Sequence, residues 1–120
     1  MNILKTYLIF NSEYKEYNKN QLLYQYRKDL NNPEIIKTFE DFNKKYSTFD
    51  IHFYKIVNNL ENKNNIEIIQ HWLNYGIHNN LIESIDKFYK LYKSFDYTFY
   101  NNYYKLNLQD ETDIIIHFLN

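Results

Sequence analysis

The stretch FDIHFYKIVNNLENKNNIEIIQHWLNYG, residues 49–76, decides the fold, because it returns 46 residues later as FDYTFYNNYYKLNLQDETDIIIHFLN, residues 95–120. Phe49, Asp50, Phe53 and Tyr54 reappear as Phe95, Asp96, Phe99 and Tyr100. Ile68, Ile69, His71 and Leu73 reappear as Ile114, Ile115, His117 and Leu119. Extended backwards without a gap, residues 25–74 align with 71–120 at 14 identical positions out of 50. Upstream of residue 25, Ile3, Tyr7, Phe10 and Asn11 match Phe42, Tyr46, Phe49 and Asp50 at a shorter offset, so the first unit reads as shortened. The expectation is one domain, 1–120, made of a partial unit 1–48, a repeat unit 49–94 and a truncated unit 95–120.

Each unit reads as three helices with short connections, an all-α fold stacked as a small α-solenoid or a compact helical bundle. Asp50 and Asp96 suit an N-cap, where a carboxylate accepts from the free N–H groups of the first turn. Phe49 with Tyr54, and Phe95 with Tyr100, have the spacing of a hydrophobic staple across that cap. A second helix begins at Asn64 with Glu67 three residues on, and at Asp110 with Asp113, where an acidic residue suits the helix dipole. Gly76 follows Tyr75 and suits a left-handed residue that closes a helix. A third helix is expected from near Asn80, and in the earlier unit from Asn32 with Pro33 in its first turn. Leu81, Ile85, Phe88, Tyr92 and Phe95 keep a 3.6-residue period, as do Ile35, Phe39, Phe42, Tyr46 and Phe49. The segment 66–75 is apolar around much of its circumference and is expected at the centre of its unit. The aromatic run Tyr97–Tyr104 also suits a strand, but the Asp96 cap argues for a helix.

Composition sets the outer limits. Hydrophobic residues make up 44% and aromatics 20%, enough to build a core rather than a disordered chain. Asn, Ile, Lys, Tyr and Phe are abundant while Ala is absent, a skew that A/T-rich codons produce. With no Cys, disulfides and thiolate metal sites are excluded. A net charge of -1 offers phosphates no overall attraction. Apolar runs are far too short to span a membrane. Lys5 interrupts the first of them and no small-residue cleavage site follows, so the chain is expected not to be secreted.

The pairing of FDxxFY with HWLNYG resembles a short helical repeat module found in proteins of amoeba-infecting giant DNA viruses, often beside glycosyltransferase domains. The resemblance covers residues 49–82 well, 95–120 up to HFLN, and 10–30 loosely. The module's usual Gly-Arg segment after the YG is replaced here by Ile77-His78-Asn79-Asn80, and nothing resembles a sugar-nucleotide site. The resemblance implies a helical repeat fold, a virus-encoded chain, and a place in host cytoplasm or virion. It carries over no activity.

No catalytic, metal or cofactor residue stands out. His71 and His117 each follow a carboxylate by four residues, Glu67 or Asp113, which could supply two ligands to a metal. Two ligands fall short of a site, and both acids already suit capping. His52 and His78 have no counterpart in the other copy. No serine or cysteine nucleophile stands in a triad pattern, and one glycine cannot make a phosphate loop. Lys87, Lys90 and Lys93 alternate with Tyr89 and Tyr92, a pattern that could grip single-stranded nucleic acid, though a solvated face explains it as well. Fourteen tyrosines exceed what so small a core can hold, and exposed tyrosine is favoured at protein interfaces. Tyr97 and Tyr104 are the exposed candidates, whereas Tyr100 has a staple role and Tyr103 suits the core. Phe118 and Leu119, with Ile114 and Ile115, form an apolar end that needs covering by the first unit, another copy or a partner. A non-catalytic protein–protein interaction or structural module fits best, with self-association or a protein partner. A carbohydrate-related accessory to a glycosyltransferase is the alternative, and a weak nucleic-acid binder the third.

Overall fold

The computed structural model describes residues 2–120. Among the described residues the chain is all-helical, with no strand. In order, α1 is Ile3–Phe10, α2 Lys19–Asp29, α3 Phe39–Lys45, α4 Ile51–Val57, α5 Asn65–His71, α6 Ile85–Leu91, α7 Tyr97–Tyr103 and α8 Glu111–Leu119. A short 3-10 turn, Ser12–Tyr14, follows α1, and a π-helical turn, Trp72–Gly76, extends α5. The chain divides into two compact units, one ending at Ser47 and the other Thr48–Asn120.

The helices are short, so caps and packing rather than helix length hold them. Asp50 accepts from Phe53 N at 3.0 Å and Asp96 from Phe99 N at 3.0 Å. Asn18 and Asn64 each close a capping box, with Gln21 and Glu67 reaching back to the cap. Asp110 accepts from Thr112 N at 2.7 Å. The third helix starts later than Asn80 or Asn32 suggests. Ser84 caps α6 and Thr38 caps α3, each hydroxyl accepting from an amide three residues on. Asn80 instead takes a left-handed turn at φ 54°, and Asn32 folds back on Glu34 N. In both places a hydroxyl nearer the apolar period takes the cap.

In the first unit Tyr7 is fully buried, edge-on to Tyr26 at 5.3 Å, and its hydroxyl donates to Asp29. Asn11 Nδ2 donates to Tyr7 O at 3.0 Å and Ile36 O at 2.8 Å, tying α1 to the α3 approach. Phe10 meets Phe39 and Phe42 of α3 at 5.2 and 5.7 Å. This geometry overturns the sequence match of Tyr7 with Tyr46. Tyr54 of α4 also stands edge-on to an aromatic of the next helix, Trp72, at 5.6 Å, and Asn58 Nδ2 donates to Tyr54 O at 2.9 Å. Tyr7 therefore does in α1 what Tyr54 does in α4, and Asn11 follows α1 instead of capping a helix start.

In the second unit Phe53, Phe88 and Ile115 form the core centre, from α4, α6 and α8. Phe118 and Leu119 pack against that centre. Ile114 and Ile115 are buried as well, so the end of the chain is covered from within its own unit by α4 and α7. No second copy or partner is needed for that face.

Candidate interaction surface

The motif residues of the two related stretches fall into two environments. In the first stretch Phe49 packs on Tyr54 and on Trp72, each at 5.5 Å. The Tyr54 hydroxyl lies 2.5 Å from His71 Nδ1. Burial, with the nearby Tyr75 phenol, pushes Tyr54 up to about 12, so the phenol keeps its proton in the hydrogen bond it shares with the imidazole. Trp72 is 5% exposed and offers no sugar-stacking platform. Gly76 has no left-handed backbone. It is buried in the π-helical turn, where a Cβ would run into the Tyr54 hydroxyl and stand 2.7 Å from Trp72 Cε3. The glycine is required by the close approach of Tyr54, not by a helix-ending φ.

In the second stretch the same pairs recur around Phe118, which takes the Trp72 position. Phe95 meets Phe118 at 4.7 Å, and Tyr100 stands edge-on to it at 5.6 Å. Tyr100 Oη and His117 Nδ1 share a hydrogen bond at 2.9 Å. Phe53 and Phe99, however, part company: Phe53 is 1% exposed and Phe99 66%. Phe99 stacks on Tyr103 at 5.8 Å with planes 24° apart, and Tyr103 meets Tyr104 edge-on at 4.9 Å. Tyr103 is also 66% exposed, so it is a surface residue and not the core residue its spacing suggested. Tyr104 is exposed beside this pair, while Tyr97, also exposed, lies on another side of α7. The result is one aromatic face on α7, made by Phe99 and Tyr103 and extended by Tyr104 at the helix end.

The surface candidates thus exchange places. Phe118 and Leu119 go inward to the core, whereas Phe99 and Tyr103 come outward. One signal was present in the sequence: Phe99 and Tyr103 are four apart and share a helix face, while Tyr100, the staple residue, lies on another.

The ionisable candidates have local duties. Lys87 Nζ donates to Leu81 O at 3.1 Å, lies 3.6 Å from Glu83, and sits over the Trp72 ring at 5.9 Å. Its ammonium is thereby drawn away from the solvated face, and a basic stripe of Lys87, Lys90 and Lys93 loses its first member. Tyr89 donates to Glu111, and both burial and that carboxylate push its phenol upward. Among the described residues no three His, Asp or Glu side chains converge as a metal site, and no helix is long and apolar enough to cross a membrane. No family model matches the chain, and neither a curated protein nor a solved structure is similar enough to be matched.

Proposed function

We propose that this chain is a non-catalytic protein–protein interaction module of tandem helical units, with the aromatic face of α7 as its contact surface. One observation carries the reading: the exposed, stacked pair Phe99 and Tyr103, with Tyr104 edge-on beside it. Large aromatics held on a capped helix give contact area at little entropic cost, the composition favoured in interface centres. The recurrence of the Tyr54–Trp72 arrangement as Tyr100–Phe118 supports the tandem-unit reading. The likeness of FDxxFY and HWLNYG to viral helical modules supports a virus-encoded chain acting in host cytoplasm or virion.

The carbohydrate reading draws on the same tyrosines, but the nearby Asn101 is already engaged within the chain. Asn101 uses its amide on both Leu108 O and Leu108 N, at 2.9 and 3.1 Å. The nucleic-acid reading loses Lys87 to Leu81 and Glu83. Site-specific photo-crosslinking tests the proposal, with a benzophenone amino acid at position 104 and, as control, at the exposed position 62. Protein adducts in cell extract from position 104 alone are expected. Adducts equal at both positions, or none, overturn it.

A further inference from the structure

We propose that the α7 face is covered by a second copy of this chain, docked head to tail through its α1–α2 groove; this rests on the interaction reading above. The argument starts from what covers Phe53. That ring is buried by Phe88 and by Ile115 of α8, with Val57 and Leu119 packed alongside. Phe99 and Tyr103 occupy the Phe53 and Val57 positions 46 residues on, and among the described residues nothing buries them.

The chain holds a further helix of the α8 kind. The caps Asn18, Asn64 and Asp110 are spaced 46 residues apart, which places α2, α5 and α8 in one register. In that register Leu22, Ile68 and Ile114 are all buried. Leu23 then stands where Ile115 stands in α8, and Arg27 where Leu119 stands. Leu23 is not enclosed: with Ile3, Leu4 and Tyr26 it lines an open, largely apolar groove of about 610 Å³, whose rim residue Ile3 is 62% exposed. One face of the molecule therefore has the residues that Ile115 covers, and another has the residues that cover.

The charges agree. Residues 1–47 have eight basic and six acidic side chains, a net of +2, while residues 48–120 have six and nine, a net of −3. Docking the first unit of one copy on the second unit of the next brings opposite fields together. Arg27 would lie near Tyr103, a cation–aromatic pairing. The contact is heterologous, pairing a different face of each copy, so it builds a closed ring or an open array. The exposed area is small, which places the contact at the weak, transient end of protein interfaces.

Sedimentation equilibrium of the full chain from about 1 μM to about 1 mM, a range that spans weak transient affinities, tests this. Two variants at exposed positions accompany it, Phe99→Asp on α7 and Ile3→Asp in the groove, each checked for helicity by circular dichroism. Expected is a mass that rises to the dimer or beyond for the unaltered chain, and an affinity weakened at least about 10-fold, a loss of ~1.4 kcal/mol, in either variant alone. Mixing the two variants should restore a dimer that grows no further, because each supplies the face the other lacks. A wild type monomeric throughout overturns the proposal, as does an Ile3→Asp chain that associates unchanged, or a mixture that stays monomeric. If the chain is monomeric yet position 104 crosslinks a different protein, self-association falls and the interaction reading stands. If both experiments are blank, both fall.

Discussion

Phe53 and Phe99 stand at the same position of the same motif, FDxxFY, after the same Asp cap, yet one is sealed in the core and the other lies open. The backbone around them is alike: α4 and α7 are both seven residues long, and Asp50 and Asp96 accept from the amide of these very residues. What differs is the neighbour. Phe53 has α6 and α8 over it; Phe99 has no described element at the corresponding place. Local sequence decides that a helix starts and which side chains share a face. Only tertiary packing decides which of those faces becomes core. The largest expected effect follows: Phe53→Ala should cost about 3–5 kcal/mol, the range for a buried Phe, and Phe99→Ala less than about 0.5 kcal/mol. Urea titrations followed by circular dichroism measure both. Similar losses from the two would erase the distinction.

Gly76 sharpens the comparison from the other side of Tyr54. Gly76→Ala gains up to about 1 kcal/mol of helix propensity, but its Cβ meets a phenol that is buried and bonded to His71. Overpacking of a core typically costs about 1–3 kcal/mol, so net destabilisation is expected. A melting temperature above wild type would mean that Tyr54 yields easily, and that its packing is looser than that of Phe53.

The helical class and the starts at Asp50, Asn64, Asp96 and Asp110 are legible because caps are local: an Asx side chain reaches an amide two or three residues away. The other features depend on partners distant in the chain. Gly76 looks like a helix-ending glycine until Tyr54, 22 residues earlier, is placed against it. Asn80 and Ser84 are both competent caps, and the choice is made by where Phe88 must point to enter the core. Tyr7 matches Tyr46 on sequence, but its edge-on contact with Tyr26 makes it the counterpart of Tyr54. As surface aromatics, Tyr97 and Tyr104 are legible from the density of tyrosines. For Phe99 and Tyr103 the shared helix face is legible but its exposure is not, because an uncovered apolar residue looks the same in sequence as a covered one.

The smallest expected effects concern the Tyr–His pairs, and pH separates them from packing. Tyr54→Phe leaves His71 Nδ1 without its hydrogen-bond partner inside the second unit and should cost about 0.5–1.5 kcal/mol at pH 8. Tyr100→Phe removes an exposed bond to His117 and should cost less. Tyr54 is raised in the folded protein from 10.0 to about 12, so the folded state holds that proton after the unfolded chain has released it. Stability from this group is thus complete below pH 10 and is lost as pH rises from 10 towards 12 and above. A phenylalanine in its place has no phenolic proton to lose. The stability gap between wild type and Tyr54→Phe should therefore narrow across that window, while titrations of groups that both proteins share cancel. Thermal melts at pH 8, 10, 11 and 12 read the difference directly. A gap that stays constant to pH 12 would show the phenol to be as free to ionise as an exposed tyrosine, and would remove the protonated Tyr54–His71 bond from the account of this core.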